Sequence, residues 1–298
     1  MQSITSYIKE QADRVHRALD QYLDQMDSLP DVLRQSMRYS LLAGGKRLRP
    51  VLTLATVESL GKDPEKAMPF ACAIEMIHTY SLIHDDLPSM DDDDYRRGKL
   101  TNHKVFGEAQ AILAGDALLT EAFGLMAAAA KKEGLPAEVA LTMIEEGARS
   151  AGARGMVGGQ SDDLLSENRK ISLEELESIH KRKTGDLIAF SVRMGAHFCQ
   201  AESSVLDALT RFAYQIGLAY QIQDDILDVT GTTEVIGKPA GSDIKSNKAT
   251  YPSLLGLEES KRRLKLLTED AKNTLMAHPG IEPSRLLEIA DYLLSRDH

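Results

Sequence analysis

Apolar side chains recur along this chain at the spacing of α-helices, almost without interruption. Residues 31–43 read DVLRQSMRYSLLA and place four apolar side chains on one face before Gly44-Gly45 ends the pattern. The same spacing predicts further helices over residues 64–87, 108–132, 136–152, 172–200, 203–230, 258–277 and 282–296. Strand-like alternation with hairpin turns is missing. We therefore predict an all-α fold, a large bundle of mostly antiparallel helices joined by short loops.

The composition refines this picture in a few respects. Stretches rich in Pro, Ser or Gly, which would mark a linker, are missing, so we predict a single domain over residues 1–298. Cys72 and Cys199 each lie in an apolar run, as reduced thiols do. The start of the chain lacks the apolar core of a signal peptide, and every apolar run is shorter than the ~18 residues needed to cross a bilayer. We expect a cytoplasmic protein without a membrane span.

Charge is spread unevenly along the chain. The net charge of -10 argues against nucleic acid as a partner. Six carboxylates crowd into residues 85–94, and like charges at this density cost free energy unless cations neutralise them. On a regular helix Asp85 and Asp91 would lie about 120° apart. They can share a metal ion only if the chain bends after Asp86, and Pro88 favours such a bend. The motif does not fit a calcium-binding loop, because it has no Gly at the sixth position and no Glu at the twelfth. A solvated acidic loop remains an alternative.

A second acidic motif, DDILD, follows a helix that is apolar on most sides. Asp224 and Asp228 are one turn apart and lie about 40° from each other on one face, together with Gln221. Two such carboxylates suit Mg2+, which completes its shell with water and substrate phosphates. The alternative is a helix end that has reached solvent and carries its acids on an exposed rim.

Basic residues accompany both acidic motifs. They are Lys46, Arg47 and Arg49 in GGKRLRP, Arg96 and Arg97 after the first motif, Lys183 in KTG, and Lys238 after the second motif. Their simplest role is to cap helix ends and neutralise the acids, but they also suit phosphate oxygens. His78 lies on nearly the same stripe as Asp85, although a lone His is more often a satisfied core residue. Gly185 indicates a kink inside predicted helix 172–200. Together these groups predict an enzyme that binds a diphosphate through Mg2+.

Taken in order, the motifs resemble those of the trans-prenyl diphosphate synthases, and most closely the bacterial farnesyl diphosphate synthases. The resemblance runs from GGKRLRP through IHTYSLIHDDLPSMDDDDYRRGKLTNH, MVGGQ, KTG and QIQDDILD to GKPAGSD, which is almost the whole chain. It implies the isoprenoid synthase fold around a central apolar cavity, a homodimer, and about three Mg2+ ions per active site. Tyr220 departs mildly from the family, which often has Phe there.

The resemblance also implies roles for individual residues. Asp85 and Asp91, supported by Asp86, would bind Mg2+ and the allylic diphosphate, and Asp224 would bind a further Mg2+ with Asp225 and Asp228 nearby. Lys46, Arg49, His78 and Arg97 would hold isopentenyl diphosphate, and Arg96, Lys183 and Lys238 would contact the allylic diphosphate. Thr184 and Gln221 would present oxygens to the cationic carbon.

The implied reaction is the head-to-tail condensation of isopentenyl diphosphate with an allylic diphosphate. Dimethylallyl and then geranyl diphosphate would be extended to (E,E)-farnesyl diphosphate, with loss of diphosphate and formation of an allylic carbocation. The alternatives are a geranylgeranyl diphosphate synthase, a terpene cyclase, a metal-storage protein and a non-catalytic regulatory subunit. A cyclase would have an Asn/Ser/Glu-type second motif, a regulatory subunit would have lost one acidic motif, and storage would not need the basic groups.

Product length depends on the residues just before the first acidic motif. Ser81 lies one turn before Asp85 and should line the cavity for the growing chain. An aromatic at position 80, here Tyr80, is associated in the family with stopping elongation, so we predict a C15 product. Helix angles place Tyr80 about 140° from Asp85, so it can block the chain only from the side or through a bent helix.

Overall fold

The structure is a computed structural model that describes residues 2–167, 169–230 and 249–294. These residues contain fourteen α-helices and one short β-hairpin. The α-helices are α1 Ile4–Gln25, α2 Asp31–Leu41, α3 Leu48–Ser59, α4 Met68–Asp85, α5 Asn102–Phe106, α6 Glu108–Lys132, α7 Ala137–Ala151, α8 Met156–Ser166, α9 Leu173–His180, α10 Asp186–Phe198, α11 Ser203–Thr230, α12 Tyr251–Leu255, α13 Leu257–Met276 and α14 Ser284–Leu294. A 3-10 turn, Pro64–Ala67, precedes α4, and a π-helical turn, Lys181–Gly185, joins α9 to α10.

The chain forms two compact units. Unit 1 comprises Met1–Leu54 and Asp63–Ile144, and unit 2 comprises Ala55–Lys62 and Glu145–His298. Helices α3 and α7 pass from one unit into the other. The prediction of a single domain stays a prediction.

Unit 1 is organised around α4. This helix buries residues on all its sides, and it packs mainly against α6, with α1 and α2 also in contact. Phe70, Ile74 and Ile77 are fully or almost fully buried. A helix that is apolar all round is stable only inside a core. Its C-terminal end therefore brings the first acidic motif out from the middle of unit 1.

Unit 2 is organised around α11, which is long and apolar on most sides. It packs against α10 and α13, and Phe212, Ile216 and Ile222 are buried along its length. Its last turns carry the second acidic motif. Each unit thus has one central helix that ends in aspartates.

The helical periodicity located the long elements well. Predicted helices 108–132 and 203–230 coincide with α6 and α11, which confirms the all-α prediction. Predicted helix 172–200 was wrong as one regular helix, because five residues at Lys181–Gly185 adopt π-helical hydrogen bonding. Helices α1, α3, α5, α8 and α12 were missed. The α3 sequence is apolar on every side and contains Pro50, and α8 begins with MVGGQ, whose two glycines disfavour a helix.

The prediction that the chain has no hairpin was wrong at one place. Tyr95–Arg96 pairs antiparallel with Lys99–Leu100. Arg97 and Gly98 between them have φ values of 53° and 76°, the left-handed conformation that a tight two-residue hairpin turn requires. Strands of two residues are too short to show alternation, so only the turn residues carry a sequence signal.

By length and composition alone, helix α6 is long and apolar enough to cross a membrane. Within its most apolar 18-residue window, 33% of the residues are buried. It packs against α4, α2 and α5 within unit 1, as a core helix does. The absence of a membrane span stays a prediction.

A buried ion pair fixes the turn between α2 and α3. Arg47 Nη1 lies 2.5 Å from Glu75 Oε1, and both side chains are 1% exposed. Arg47 Nη2 also donates to the Leu41 carbonyl oxygen at 2.6 Å. The sequence suggested an anion-binding role for Arg47, but its guanidinium is committed to the core, since Glu75 is on α4.

Removal of Glu75 is expected to destabilise unit 1, because it leaves the Arg47 charge buried without its carboxylate. We predict that Glu75→Ala lowers the free energy of unfolding by about 3–5 kcal/mol, measured by urea denaturation. The control is Glu258→Ala, which removes an exposed pair with Lys261 and should leave the midpoint almost unchanged. Equal midpoints for the two variants would contradict a structural role for the Arg47–Glu75 pair.

Candidate active site

The first acidic motif reverses the chain directly after α4. Helix α4 ends at Asp85 and Asp86 caps it. The Asp91 N–H then donates to the Asp85 carbonyl oxygen at 2.9 Å. This closed turn returns Asp91 to the helix end, so the predicted bend after Asp86 is confirmed. Asp85 and Asp91 thereby become neighbours despite their unfavourable helical spacing.

Asp86 is turned inward and grips Arg96. The Arg96 Nε lies 2.7 Å and 2.9 Å from the two carboxylate oxygens of Asp86, and Nη2 lies 2.5 Å from Oδ1. Burial raises the pKa of Asp86, although Arg96 acts in the opposite direction. A forked pair of this kind fixes the direction of the guanidinium. Asp86 therefore orients Arg96.

The glycine turn before α3 holds Arg97. Gly44 and Gly45 have φ values of 90° and 111°. The Arg97 guanidinium donates to the Gly44 carbonyl oxygen and lies against Gly45, where an added Cβ would be 2.5 Å from its Cζ. Only glycine leaves this space. The GGKRLRP and RRG motifs are therefore packed directly together, with Lys46 exposed beside them.

His78 pairs with Arg49 inside unit 1. Arg49 Nη1 lies 3.2 Å from His78 Nε2. Burial lowers the pKa of His78 well below its ordinary value, and the charges of Arg49, Arg97, Arg96 and Arg47 lower it further. Because arginine only donates, Nε2 of a neutral His78 must be the acceptor, which leaves its proton on Nδ1. The structure thus places a neutral His78 within the field of Arg49 and Arg97.

Tyr80 is buried near the C-terminal end of α4. It is 5% exposed, and its ring meets the ring of His84 edge to face at 5.5 Å. Burial raises the pKa of Tyr80 to about 12, with smaller contributions from Asp85 and Asp116. The Ser81 hydroxyl is partly exposed and donates to the His78 carbonyl oxygen at 2.8 Å.

The second acidic motif is helical throughout, since α11 continues to Thr230. Asp224 and Asp228 therefore do lie one turn apart on one face. Asp225 is 4% and Asp228 is 8% exposed. The alternative of an exposed acidic rim is thus wrong for these two residues, and burial makes an uncompensated charge costly.

Asp225 has a structural partner of its own. Its Oδ2 accepts a hydrogen bond from the Tyr251 N–H at 2.9 Å, in the first turn of α12. His180 Nε2 lies 3.5 Å from the same oxygen, and the His180 ring stacks on Tyr251. A carboxylate at a helix N-terminus is stabilised by its N–H groups. Asp225 therefore anchors α12.

Three of the sequence motifs converge on the π-helical turn. A Cβ at Gly159 of MVGGQ would overlap the backbone of Lys183, and a Cβ at Gly217 of α11 would be 3.2 Å from the Gly185 Cα. These contacts bring the backbones within reach of one another. The Thr184 hydroxyl then donates to Gln221 Oε1 at 3.0 Å, so the predicted pair is brought together.

Sequence reasoning missed the partner of Lys183. Lys183 Nζ lies 2.6 Å from Asp163 Oδ2, and Arg182 pairs with Asp162. Both acids belong to α8. The available signal was the SDD that follows MVGGQ, whose two acids match Arg182 and Lys183 of KRKTG. Lys238 lies outside the described residues.

The carboxylate oxygens of the two acidic motifs are ligands of the kind that Mg2+ prefers. Among the residues that the structure describes, His, Cys, Asp and Glu side chains do not form a group of three that could hold a metal ion. Mg2+ commonly uses one or two carboxylates and completes its octahedron with water and substrate phosphates. Asp85 with Asp91, and Asp224 with Asp228, each offer such a partial set. The residues present therefore fit Mg2+ that arrives with a phosphate ligand.

Comparisons with known proteins agree with this arrangement. A sequence model of the polyprenyl synthetase family matches residues 30–277. The chain is 50% identical over 296 residues to the farnesyl diphosphate synthase of Geobacillus stearothermophilus, covering 99% of each chain. It is 45% identical over 297 residues to the geranylgeranyl diphosphate synthase of Cyanophora paradoxa, covering 99% of this chain and 97% of that one. The crystal structure of an FPP/GFPP synthase from Zymomonas mobilis in its apo form is similar with a TM-score of 0.86 at 36% identity, covering 98% of this chain and 99% of that chain.

The glycine contact at Lys183 generates a prediction that needs no substrate. Gly159→Ala should displace the π-helical turn, because the new methyl group would overlap the Lys183 backbone. We expect a loss of about 1–3 kcal/mol and faster amide exchange in residues 181–185. Gly124→Ala is the control, since a Cβ there meets nothing within 4 Å and alanine favours a helix. If both variants show the wild-type exchange rates, the close approach does not hold the turn.

Proposed function

We propose that this chain, which belongs to the polyprenyl synthetase family, is a prenyltransferase that condenses isopentenyl diphosphate with allylic diphosphates to (E,E)-farnesyl diphosphate. The observation that carries the proposal is the 50% identity with a farnesyl diphosphate synthase along the whole chain. The described arrangement of both acidic motifs, the glycine turn and the KTG turn supports it.

In this proposal Asp85 and Asp91 hold Mg2+ at the first motif, and Asp224 holds a further ion with Asp228 one turn away. When bound, Mg2+ would neutralise the diphosphate and make it a better leaving group. Oxygen donors of this kind suit Mg2+ better than softer metals. Asp225 contributes through the position of α12, since its Oδ2 accepts from Tyr251.

Cationic side chains bind the two diphosphates. Arg49, His78 and Arg97, with exposed Lys46, are proposed to hold isopentenyl diphosphate. A neutral His78 would serve as a hydrogen-bonding group rather than a charge, since its pKa is lowered by burial and the nearby arginines. The allylic diphosphate would be contacted by Arg96, Lys183 and Lys238. Asp86 orients Arg96, and Lys238 lies outside the described residues.

The allylic carbon becomes cationic as its diphosphate departs. Thr184 and Gln221 are proposed to face that carbon with oxygen atoms, whose partial negative charge stabilises it. Because the Thr184 hydroxyl donates its hydrogen bond to Gln221 Oε1, the lone pairs of Thr184 Oγ1 remain for the cation. The double bond of isopentenyl diphosphate attacks this carbon, and a proton is lost to the departing diphosphate. The reaction needs no Ser, Cys or His nucleophile.

Two alternative functions agree with parts of these observations. A geranylgeranyl diphosphate synthase is the nearer alternative, since the relative of that name is 45% identical over nearly the same length. The buried ring of Tyr80 supports the shorter product. A non-catalytic regulatory subunit is less well supported, because both acidic motifs and their basic partners are intact.

We also propose a cytoplasmic homodimer formed from single-domain chains. The family match from residue 30 to residue 277 spans both units, which supports one domain. Ile112 and Leu113 of α6 are 42% and 50% exposed, and adjacent exposed apolar groups favour contact with another chain. The molecular mass in solution, measured by analytical ultracentrifugation, tests whether the protein is a dimer.

The product assay tests the proposed function. The protein is incubated with isopentenyl diphosphate and dimethylallyl or geranyl diphosphate, with Mg2+ or with EDTA, and the products are separated by chromatography. We expect farnesyl diphosphate from both primers, and only with Mg2+. A C20 product would identify the geranylgeranyl alternative, and no product with any primer would support the regulatory subunit.

The metal assignment predicts the effect of single carboxylates. Asp85→Ala and Asp224→Ala should each reduce turnover by more than about a thousandfold, with unchanged helical circular dichroism. Asp92→Ala is the control, because Asp92 lies exposed in the same acidic loop and has no proposed role. Near-normal turnover of either first variant would contradict the assignment.

The stopping role of Tyr80 predicts a change of product. Tyr80→Ala should open space beside α4 and shift the product from C15 towards C20 or longer. Tyr80→Phe keeps the ring and should retain C15. An unchanged C15 product from Tyr80→Ala would remove Tyr80 from chain-length control.

A further inference from the structure

Unit 2 contains a large cavity that the proposed reaction does not use. Its volume is about 510 Å³, within the range of small-molecule sites. The residues that line it come from α7, the segment after α7, α9, the π-helical turn, α10 and α11. Lys183, Thr184, Gln221 and the aspartates of the two motifs are not among them.

Cationic side chains dominate the lining of this cavity. They are Arg149, Arg154, Lys181, Arg182 and Arg193. The acids that line it are Glu146 and Asp186. This is unexpected in a chain with a net charge of -10, since a random surface would be acidic. A concave surface that gathers one sign of charge attracts ions of the opposite sign.

Part of this charge is already balanced within the protein. Arg193 Nε donates to Glu146 at 2.8 Å, and Arg182 pairs with Asp162. Burial alone would raise the pKa of Glu146, but the hydrogen bonds from Arg193 and His197 outweigh it and lower that pKa to about 2. The negative charge of Glu146 is therefore paired with Arg193 and does not neutralise the other cations of the cavity.

The remaining cations have little to balance them. Within the part of the chain that the structure describes, Arg149 and Arg154 make no ion pair or side-chain hydrogen bond, and both are exposed. Lys181 Nζ lies 4.9 Å from the centre of the Tyr214 ring. The Tyr214 hydroxyl donates to Asp186 at 2.9 Å. Two arginines and a lysine thus face one carboxylate that is already hydrogen-bonded.

We propose that this cavity binds a phosphate-bearing anion directly, without a metal ion. Two guanidinium groups and an ammonium group match the charge of a diphosphate group, and arginine donates to two oxygens at once. Tyr214 adds an aromatic edge beside the cations. The site stands independently of the proposed function, because it shares no residue with the catalytic set. It does adjoin that set in sequence, since Lys181 and Arg182 belong to the same π-helical turn as Lys183 and Thr184.

The test is calorimetric titration in EDTA with inorganic diphosphate, and in a second arm with ADP. Three proteins are compared: the wild type, Arg149→Gln/Arg154→Gln, and Lys131→Gln/Lys132→Gln. The last is charge-matched, because it removes two exposed cations from the end of α6. The absence of Mg2+ weakens binding at the aspartate motifs, and any site made by Lys46 and Arg49 stays the same in all three proteins.

We expect the wild type and the α6 control to bind one more equivalent of anion than the cavity variant, or to bind at least about tenfold more tightly. Tighter binding of ADP would assign the site to nucleotides, and tighter binding of diphosphate to the inorganic anion. Identical stoichiometry and affinity in all three proteins would overturn the proposal.

The product assay separates this proposal from the proposed function. The cavity variant should still form product if the wild type does, since neither arginine is placed in the catalytic set. A wild type without product but with a cavity-dependent titration would refute the function and leave the anion site. Normal product formation by the wild type, together with unchanged anion binding in the cavity variant, would support the proposed function and refute the anion site.

Discussion

The cost of holding carboxylates close together at the ends of buried helices shapes both units of this protein. Helix α4 and helix α11 are apolar on most sides and are stable only when surrounded. Each ends in aspartates, whose charges are expensive in such surroundings. Each motif includes an aspartate that the protein holds in place with a contact of its own. Arg96 grips Asp86, and the N–H of Tyr251 meets Asp225. Asp85, Asp91, Asp224 and Asp228 are the carboxylates that we assign to Mg2+.

The same division appears among the cations. Arg47 is buried against Glu75 and supports the fold, whereas Arg97 lies against the glycine turn and Arg49 meets His78. Arginines that are close in sequence within one motif therefore have different roles. Close backbone contacts organise the rest, since glycines 159 and 217 let the KTG turn approach α8 and α11. A site built from rigid elements in this way keeps its polar atoms in place.

Much of this could be predicted from the sequence, for identifiable reasons. Long helices such as α6 and α11 have a periodic pattern and clear ends, so their bounds were predicted to the residue. The bend after Asp86 followed from Pro88 and the spacing of the acids. Helix α3 could not be predicted by periodicity, because it is apolar on all sides. The hairpin at Tyr95–Arg96 is too short to have a pattern.

Partner choice was harder to predict than position. Nothing in the spacing of DDILD shows that Asp225 turns to α12, because Tyr251 is 26 residues away. The pairing of Lys183 with Asp163 likewise depends on how α8 meets the π-helical turn. Such contacts are tertiary, and single-sequence reasoning reaches them only through a family resemblance.

The account is tested most directly by a crystal structure with Mn2+, inorganic diphosphate and isopentenyl diphosphate, in which anomalous scattering locates each metal ion. We predict Mn2+ on Asp85 and Asp91 and on Asp224, with diphosphate oxygens completing the coordination at both motifs. Diphosphate bound by cations alone, or metal at only one of the motifs, would contradict the claim that each motif binds its metal ion together with diphosphate.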